Sequence, residues 1–291
     1  MRISDQHLYD FSMAQLSDAR NSVDDLREEA LTGRRVRKPS DDPVAANLGA
    51  REAAREMRVE SNRRAVNNGV SSIQLADSAL SQVGDVLVRL KELSVQFSND
   101  TISADERDAA AAEVDEIRET ILDMANTAHN GRYIFGGYLD SAPPFDAAGT
   151  YAGDGGIREH EVAPGVRLAA GLPGDEVFSA PGGTDVFQMV DDFRVALQAN
   201  DLLGVRATID QVDVAQEQIS DSRARLGSQQ YSFQMAGAFL DQTEEHAARR
   251  RDELIAADTT ETYLKLNQAE SALQAAVQIA AQLPLPGLLE S

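Results

Sequence analysis

The sequence predicts a mostly α-helical protein, a bundle of long antiparallel amphipathic helices with the first and last helices paired and a small β-rich insert. Apolar residues recur every seven positions over residues 59–97, and a similar pattern returns over residues 205–254. Residues 131–183 hold 12 of the 20 glycines and 5 of the 9 prolines, between short apolar runs. Both chain ends carry a single amphipathic helical pattern. These patterns predict a long helical stem that carries one strand-rich insert.

The two end helices are predicted to be a matching pair. Their apolar positions follow the spacing of one helix face, and Thr259 or Thr260 is the expected cap of the last helix. Six aliphatic residues define the two stripes: Leu16, Val23 and Leu26 in the first helix, and Leu266, Leu273 and Val277 in the last. Neither helix has a partner nearby in sequence, so the stripes must meet each other or another subunit.

A charged joint, residues 33–46 with the sequence GRRVRKPSDDPVAA, connects the first helix to the second. Its motif residues are Arg34, Arg35, Pro39, Ser40, Asp41, Asp42 and Pro43. Pro43 after an aspartate favours a helix start, because proline has no N–H to lose there and the carboxylate caps the first turn. Pro39 favours an extended Lys38, which would prevent the first helix from continuing. A solvated capped linker and a contact between subunits both explain the motif.

The stem is predicted to contain three long helices. The first, over about residues 43–98, would run about 80 Å at 1.5 Å per residue, so it must pack against other helices. Ser103 and Glu106 form a capping-box pattern that starts the second helix. The third covers residues 205–254, with Gly227 as a weak point inside it. In the insert, residues 131–184, short strands are expected at 133–135, 161–163, 166–168 and 176–178.

Composition limits the partners and the compartment. Lys plus Arg total 27 against 48 Asp plus Glu, and the net charge of -21 argues against nucleic acid or an anionic membrane as the main partner. No apolar run approaches the roughly 18 residues of a membrane span, and the N-terminus lacks a secretory signal pattern. The absence of cysteine fits a cytosolic protein and equally a protein exported unfolded through a narrow channel.

No catalytic, cofactor or metal site is predicted. The four histidines, His7, His129, His160 and His246, are scattered and form no zinc-binding spacing. The glycine-rich stretches 153–156 and 181–183 lack the features of a phosphate or dinucleotide loop, so turns are expected there. Tyr133, Phe135 and Tyr138 are expected to pack rather than to form a ligand cage. These patterns indicate a protein that is not an enzyme.

The chain resembles the flagellin superfamily over nearly its whole length, closest over residues 1–137 and 204–283 and weakly in the insert. The resemblance rests on the end helices, the long heptad helix, the motif PSDDP at 39–43 with Ala45 and Ala46, and GRYIFGG at 131–137. PSDDP and GRYIFGG are similar to the hook-filament junction branch of the superfamily, whereas flagellins themselves usually carry a proline-poor motif at the joint.

The resemblance implies a secreted structural adaptor of the bacterial flagellum, located outside the cell at the hook-filament junction. The implied domains are an inner coiled coil (1–32 with 258–291), a joint (33–43), a helical stem (44–130 with 185–257) and the insert (131–184). Implied partners are further copies in a ring of about one helical turn, hook-associated protein 1, flagellin, and a flagellar export chaperone before secretion. No membrane insertion is implied. Pro284 and Pro286 depart from the apolar tail of relatives and predict a helix end near Gln282.

Two other functions fit parts of the pattern. A flagellin subunit would share the fold but form long polymers, whereas a junction protein should stop after about one turn. A cytoplasmic coiled-coil adaptor or signalling protein would use the same heptads, but its ends should be ordered and resist proteases. The junction protein should instead lose its ends quickly as a monomer, leaving a core of about residues 40–250.

Overall fold

The computed structural model of the protein describes residues 2–282, and the described chain is mostly α-helical as predicted. In chain order the elements are α1 (Arg2–Thr32), α2 (Pro43–Phe97), α3 (Ala104–Ala125), β1 (Ala128–His129), β2 (Arg132–Tyr133), β3 (Glu159–Ala163), β4 (Val166–Ala169), α4 (Gly174–Phe178), α5 (Val186–Gln198), α6 (Leu202–Ile255) and α7 (Thr259–Gln282). The predicted long helices 43–98 and 205–254 correspond to α2 and α6. Pro284 and Pro286 lie outside the described residues, so the helix end predicted from them stays a prediction.

The chain divides into two compact units. The terminal unit contains residues up to Arg58 and from Thr243 onward, and the central unit is Val59–Gln242. Both α2 and α6 therefore contribute residues to each unit. The four-part domain organisation expected from the sequence stays a prediction.

Heptad positions of α2 form the core of the central unit. The predicted series is buried throughout: Val59, Val66, Ile73, Leu80 and Leu87. The same buried cluster includes residues of α6 at seven-residue spacing: Leu226, Phe233 and Leu240. The heptad prediction is confirmed, because a period near 3.5 keeps one face of a long helix against its neighbours.

Gly69 permits close packing inside this core. A Cβ atom at Gly69 would overlap the ring of Phe233 on α6. At Gly84, on the same helix, a Cβ atom would find no described atom within 4 Å. The two glycines therefore differ in packing while sharing one helix.

Replacing Gly69 with alanine is expected to lower the free energy of unfolding by about 1–3 kcal/mol, because overpacking displaces Phe233. Gly84→Ala, the matched control, should raise it by up to about 1 kcal/mol, because alanine favours the helix without a clash. Urea denaturation followed by circular dichroism measures both. Equal stabilisation by the two substitutions would show that α2 and α6 do not approach closely at Gly69.

The end of the stem where α2 turns into α3 is held by a buried arginine. The predicted capping box is confirmed, with Ser103 N–H donating to Glu106 Oε2 (2.9 Å) and Glu106 N–H to Ser103 Oγ (3.3 Å). Arg107, only 2% exposed, donates to the carbonyl oxygens of Phe97 (3.1 Å) and Asn99 (2.7 Å) and to Asn200 Oδ1 (2.5 Å). One side chain thus joins the α2–α3 and α5–α6 turns, a role that sequence reasoning missed.

The insert contains less strand than predicted. β1 pairs with β2, and β3 pairs with β4, in two separate antiparallel hairpins. The strand predicted at 133–135 ends at Tyr133, after which Phe135 enters the aromatic core. The strand predicted at 176–178 is wrong, since these residues belong to α4. Asp175 and Glu176 in its first turn favour that helix, because negative charge there complements the positive end of the helix dipole.

Aromatic rings form the core of the insert. Phe145 lies 5.2 Å from both Phe178 and Phe187 between ring centroids, and Phe135 meets Phe178 edge-on at 5.5 Å. The hydroxyl group of Tyr151 lies within hydrogen-bonding distance of the carbonyl oxygen of Phe135 (2.9 Å), and burial raises its pKa to about 12. Because Phe187 belongs to α5, the insert and a stem helix share one core. The sequence analysis did not predict α5 as a helix of its own. Its cap is Asp185, whose side chain accepts a hydrogen bond from Gln188 N–H (3.0 Å).

Two glutamines of α6 attach the insert to the stem. Gln229 forms a paired hydrogen bond with the backbone of Gly171, accepting from its N–H (2.9 Å) and donating to its carbonyl (3.1 Å). Gln218 donates to the carbonyl oxygen of Val177 (2.8 Å). Both amides satisfy backbone groups that no strand partner reaches, which is why the irregular insert can lie against the helix.

Candidate functional site

The terminal helices α1 and α7 pack against each other. Thr262 Oγ1 donates to Glu29 (2.9 Å), and Arg27 forms an ion pair with Glu270 (2.8 Å) farther along, so the helices run antiparallel. Among the predicted interface residues, Val23 is buried and Val277 is exposed. The other four are half-buried: Leu16, Leu26, Leu266 and Leu273. Five of the six predicted stripe residues are therefore wholly or partly buried, and their role in an interface stays a prediction.

The cap of α7 is Asp258 rather than a threonine. Its Oδ1 accepts from the backbone N–H groups of Thr260 (2.9 Å) and Glu261 (3.1 Å). The prediction of Thr259 or Thr260 as the cap is wrong by one or two positions. Aspartate also places a negative charge at the positive end of the helix dipole.

The paired helices leave large apolar side chains in solvent. The exposed set is Phe11, Met13, Leu31, Tyr263, Leu264, Val277 and Ile279. Residues 271–282 of α7 carry no charge at all. Exposed apolar side chains on an uncharged helix end are typical of surfaces that bind another protein. Pairing α1 with α7 thus satisfies one stripe and leaves other apolar surface available.

The joint begins at Gly33 and runs beside the connection between α6 and α7. Gly33 has a positive φ of 65° and ends α1, its N–H donating to Glu29 O (2.9 Å). Arg35 N–H donates to Ile255 O (2.9 Å), and Ala257 N–H donates to Gly33 O (2.9 Å). The first helix thus ends at Thr32, seven residues before Pro39, so the glycine and not the proline ends it.

Asp41 and Asp42 have separate roles in the joint. Asp42 Oδ1 accepts from Ala45 N–H (2.9 Å) and caps α2 in front of Pro43, as predicted. Asp41 Oδ2 instead closes a turn by accepting from the N–H groups of Lys38 (2.9 Å) and Arg37 (3.0 Å). Backbone hydrogen bonds lower the pKa of both carboxyl groups, so both stay ionised in mildly acidic solution.

The basic residues of the joint are only partly used within the chain. Arg37 binds Asp25 (3.0 Å) and Glu28 (2.5 Å), and the hydrogen bond with Asp25 raises its pKa. Arg35 lies 3.5 Å from Asp42 and donates to the carbonyl oxygen of Leu254 (3.1 Å). The side chains of Arg34 and Lys38 form no hydrogen bond or ion pair with any described residue. Pro39 and Ser40 lie exposed in the turn between these charges.

No cluster of three His, Asp or Glu side chains that could hold a metal ion occurs among the described residues. None of the helices in that part of the chain combines the length and the hydropathy of a membrane span. The ring centroid of His160 lies 6.0 Å from that of Phe233, and burial lowers the pKa of His160. The turn expected at 153–156 is present, with Asp154 Oδ1 accepting from the N–H groups of Tyr138 (2.7 Å) and Gly156 (3.1 Å). Phe135 is buried in the insert core, whereas Tyr138 is exposed.

Comparisons with known proteins agree with the helical pattern. The family described as the bacterial flagellin N-terminal helical region matches residues 3–140. Flagellar hook-associated protein 3 of Salmonella typhimurium is 32% identical over 212 residues, covering 68% of this chain and 67% of the relative. Flagellin A of Vibrio cholerae is 27% identical over 128 residues, covering 44% of this chain and 34% of the relative.

A solved structure shares the fold. The putative flagellar hook-associated protein from Vibrio parahaemolyticus superposes with a TM-score of 0.69 at 15% identity. The match covers 74% of this chain and all of that one. At 15% identity the superposition shows a shared fold and nothing about function.

Proposed function

Because the chain belongs to the flagellar hook-associated protein 3 family within the flagellin superfamily, we propose that it is the structural adaptor joining the hook-side junction ring to the flagellin filament. Membership in this family makes it a structural component of the bacterial flagellum. In the proposed role it catalyses no reaction. It presents a surface on which flagellin can pack, so its mechanism is shape and packing.

The observation that carries this proposal is the exposed apolar surface of the α1 and α7 pair. An isolated helix pair gains little from one shared stripe, because ordering two helices costs conformational entropy. Exposed side chains such as Leu264 and Ile279 would gain about 1.5–3 kcal/mol each when neighbouring copies bury them. The proposed inner domain, residues 1–32 with 258–291, therefore becomes stable through assembly.

The six stripe residues are proposed to form the core of that inner domain. Residues 33–43 are the proposed joint between it and a stem of residues 44–130 with 185–257, from which the insert 131–184 projects. Arg34 and Lys38 have side chains without described partners, so they are the joint cations available to carboxylates of neighbouring copies. Arg35 and Arg37 already bind groups of their own chain.

Four partners belong to the proposal. Further copies form a ring of about one helical turn, hook-associated protein 1 lies on one side of it, and flagellin lies on the other. A flagellar export chaperone binds the chain before secretion. The net charge of -21 supports assembly after secretion and not before it, since like-charged monomers repel each other in solution. A chain without cysteine can also be exported unfolded without disulfides forming early.

Deletion of the gene in its host tests the proposed role. Hooks should persist, filaments should be missing, and unassembled flagellin should accumulate in the medium, because the template for filament growth is absent. Supplying the intact chain from a plasmid should restore filaments. Normal filaments and normal swarming after deletion would contradict the proposal.

Two further measurements separate the alternatives. Limited proteolysis of the secreted monomer should remove the ends and leave a core of about residues 40–250, whereas a cytoplasmic adaptor would keep ordered, resistant ends. Electron microscopy of the concentrated protein should show short assemblies. Long filaments of the pure chain would instead identify a flagellin subunit.

A further inference from the structure

A cleft of about 210 Å³ lies in the central unit, between α2 and the two antiparallel hairpins. The described residues that line it include no Asp or Glu, although the whole chain carries a net charge of -21. Four basic side chains line it instead: His129, Arg132, Arg158 and His160. We name the cleft with these four side chains the basic cleft. Its charge is opposite to that of the protein as a whole.

The two arginines of the basic cleft share one carboxylate. Asp140, whose side chain is 11% exposed, lies 3.5 Å from Arg132 and also forms an ion pair with Arg158. Neither guanidinium group has another hydrogen bond or ion pair with a described residue. Because each guanidinium group offers five N–H donors, one carboxylate cannot satisfy both. These three side chains therefore carry a net charge of +1 and have donors left over.

Backbone hydrogen bonds hold these charged residues in place. Tyr133 N–H donates to the carbonyl oxygen of Asp140 (3.0 Å), which fixes Asp140 beside the first hairpin. Ala170 N–H donates to the carbonyl oxygen of Arg158 (2.8 Å), which fixes Arg158 beside the second hairpin. A site whose backbone is already ordered loses little entropy when a ligand binds. The basic cleft is therefore preformed.

The excess positive charge acts on the partly buried groups of the cleft. Burial lowers the pKa of Arg158, and the neighbouring charge of Arg132 lowers it further. Burial also lowers the pKa of His160, with the charge of Arg158 as the second cause, so the ring is mostly neutral at pH 7. Its Nε2 atom is buried and has no hydrogen-bond partner among the described residues. An anion in the cleft would reduce the repulsion between the arginines.

Apolar side chains form another part of the lining. They are Ala76 of α2 and, from the insert, Ile134, Ile157 and Leu172. Small-molecule sites typically combine an apolar lining with a few placed polar groups. At about 210 Å³ the cleft is smaller than the roughly 300–1,000 Å³ pockets of drug-sized ligands, so the molecule that fits it is small.

We propose that the basic cleft binds a small carboxylic acid with an apolar body, whose carboxylate lies on Arg132 and Arg158. Arginine binds planar carboxylates through two parallel hydrogen bonds. One carboxylate balances the net charge of +1, whereas a phosphate dianion would reverse it. The inference goes beyond the role in the flagellum and does not depend on it, because every residue that lines the cleft belongs to the central unit.

Benzoate and benzamide test the proposal, because the two molecules share a ring and differ in charge. The full chain, labelled with carbon-13 in its histidine rings, is titrated and followed by NMR. Benzoate should shift the signals of His129 and His160 saturably, with half-saturation on the order of 1 mM. The signals of His7 and His246, in the terminal unit, should stay in place. Benzamide should bind at least about tenfold more weakly, since it lacks the charge.

Removal of single charges locates the binding. Arg158→Gln should weaken benzoate binding at least about tenfold, because a charged donor is lost. Arg132→Gln should weaken it at least about threefold, and its side chain is 62% exposed, so the variant keeps its fold. Arg167→Gln is the matched control, since Arg167 is an exposed residue of β4 outside the lining. It should change binding less than about twofold. Circular dichroism checks folding.

Each result decides the proposal. Saturable shifts at His129 and His160 that Arg132→Gln weakens and Arg167→Gln does not would support it. No shift at any soluble benzoate concentration, equal binding of benzamide, or equal effects of the two variants would overturn it. Binding of inorganic phosphate without binding of benzoate would also overturn it and assign the cleft to a phosphate-bearing ligand. The proposed function is tested separately by deletion of the gene, so either idea can fail alone.

Discussion

Replacing Val277 and Ile279 together with aspartate is expected to abolish assembly and filament growth. Both side chains are exposed on the uncharged end of α7, at 48% and 60% of their surface. Burying each against a neighbouring copy is worth about 1.5–3 kcal/mol. Losing both should therefore weaken association between copies by a factor of about 100 to 10,000. Motility in a complemented deletion strain and light scattering of the pure protein measure the effect.

A matched control for this variant lies on the same helical turns. Gln274→Asp with Gln278→Asp adds the same two charges to α7 at exposed positions that carry no apolar surface. The control should assemble and support swarming far better than the aspartate pair at 277 and 279. If both double variants fail equally, added charge alone explains the defect and the apolar contact is not needed.

Replacing Arg107 with methionine is expected to lower the free energy of unfolding by at least about 3 kcal/mol. Hydrogen bonds from a charged donor contribute about 1.5–3 kcal/mol each, and the guanidinium group makes three. Methionine fills similar space but leaves the carbonyl oxygens of Phe97 and Asn99 without this donor. At about 2–4 °C per kcal/mol for a unit of this size, the melting temperature should fall by about 6–12 °C. Differential scanning calorimetry measures the change.

Arg206 provides the control for Arg107. It donates to the carbonyl oxygen of Ser98 (3.0 Å) and binds Asp100 (2.7 Å) at the same turn, but its side chain is half exposed. Arg206→Met should therefore lower the free energy of unfolding by less than about 1 kcal/mol. A similar loss in both variants would mean that burial of Arg107 does not strengthen its hydrogen bonds.

A structural role within the flagellum places particular demands on this chain. The monomer must stay soluble before assembly, although it exposes the apolar side chains that would later form contacts between copies. The terminal unit combines both properties, since α1 and α7 cover part of each other's apolar stripes and leave the rest exposed. The proposed assembly of copies depends on this surface, which explains why the aspartate pair has the largest expected effect.

Periodic and local features could be predicted from the sequence. The heptads located α2 and α6, because any helix with that spacing must bury the same face. The capping box at Ser103 was also predicted, as was an aspartate cap before Pro43, since a helix start depends on a few adjacent residues; the sequence left Asp41 and Asp42 both open, and the structure selects Asp42. The strand predicted at 176–178 failed because five residues with mixed signals can form either structure, and the surrounding aromatic core favours the helix.

The sequence by itself determined the helical fold class, the long helices and their buried faces, and the family to which the chain belongs. The fold class and the buried faces follow from spacing along one chain, whereas the family follows from the resemblance of motifs such as PSDDP and GRYIFGG to known proteins. Only the tertiary structure decided that Arg107 joins two distant turns, that Arg37 is bound to α1, and that Gly69 of α2 packs against Phe233 of α6. Each of these depends on distances between residues far apart in sequence, which packing alone fixes.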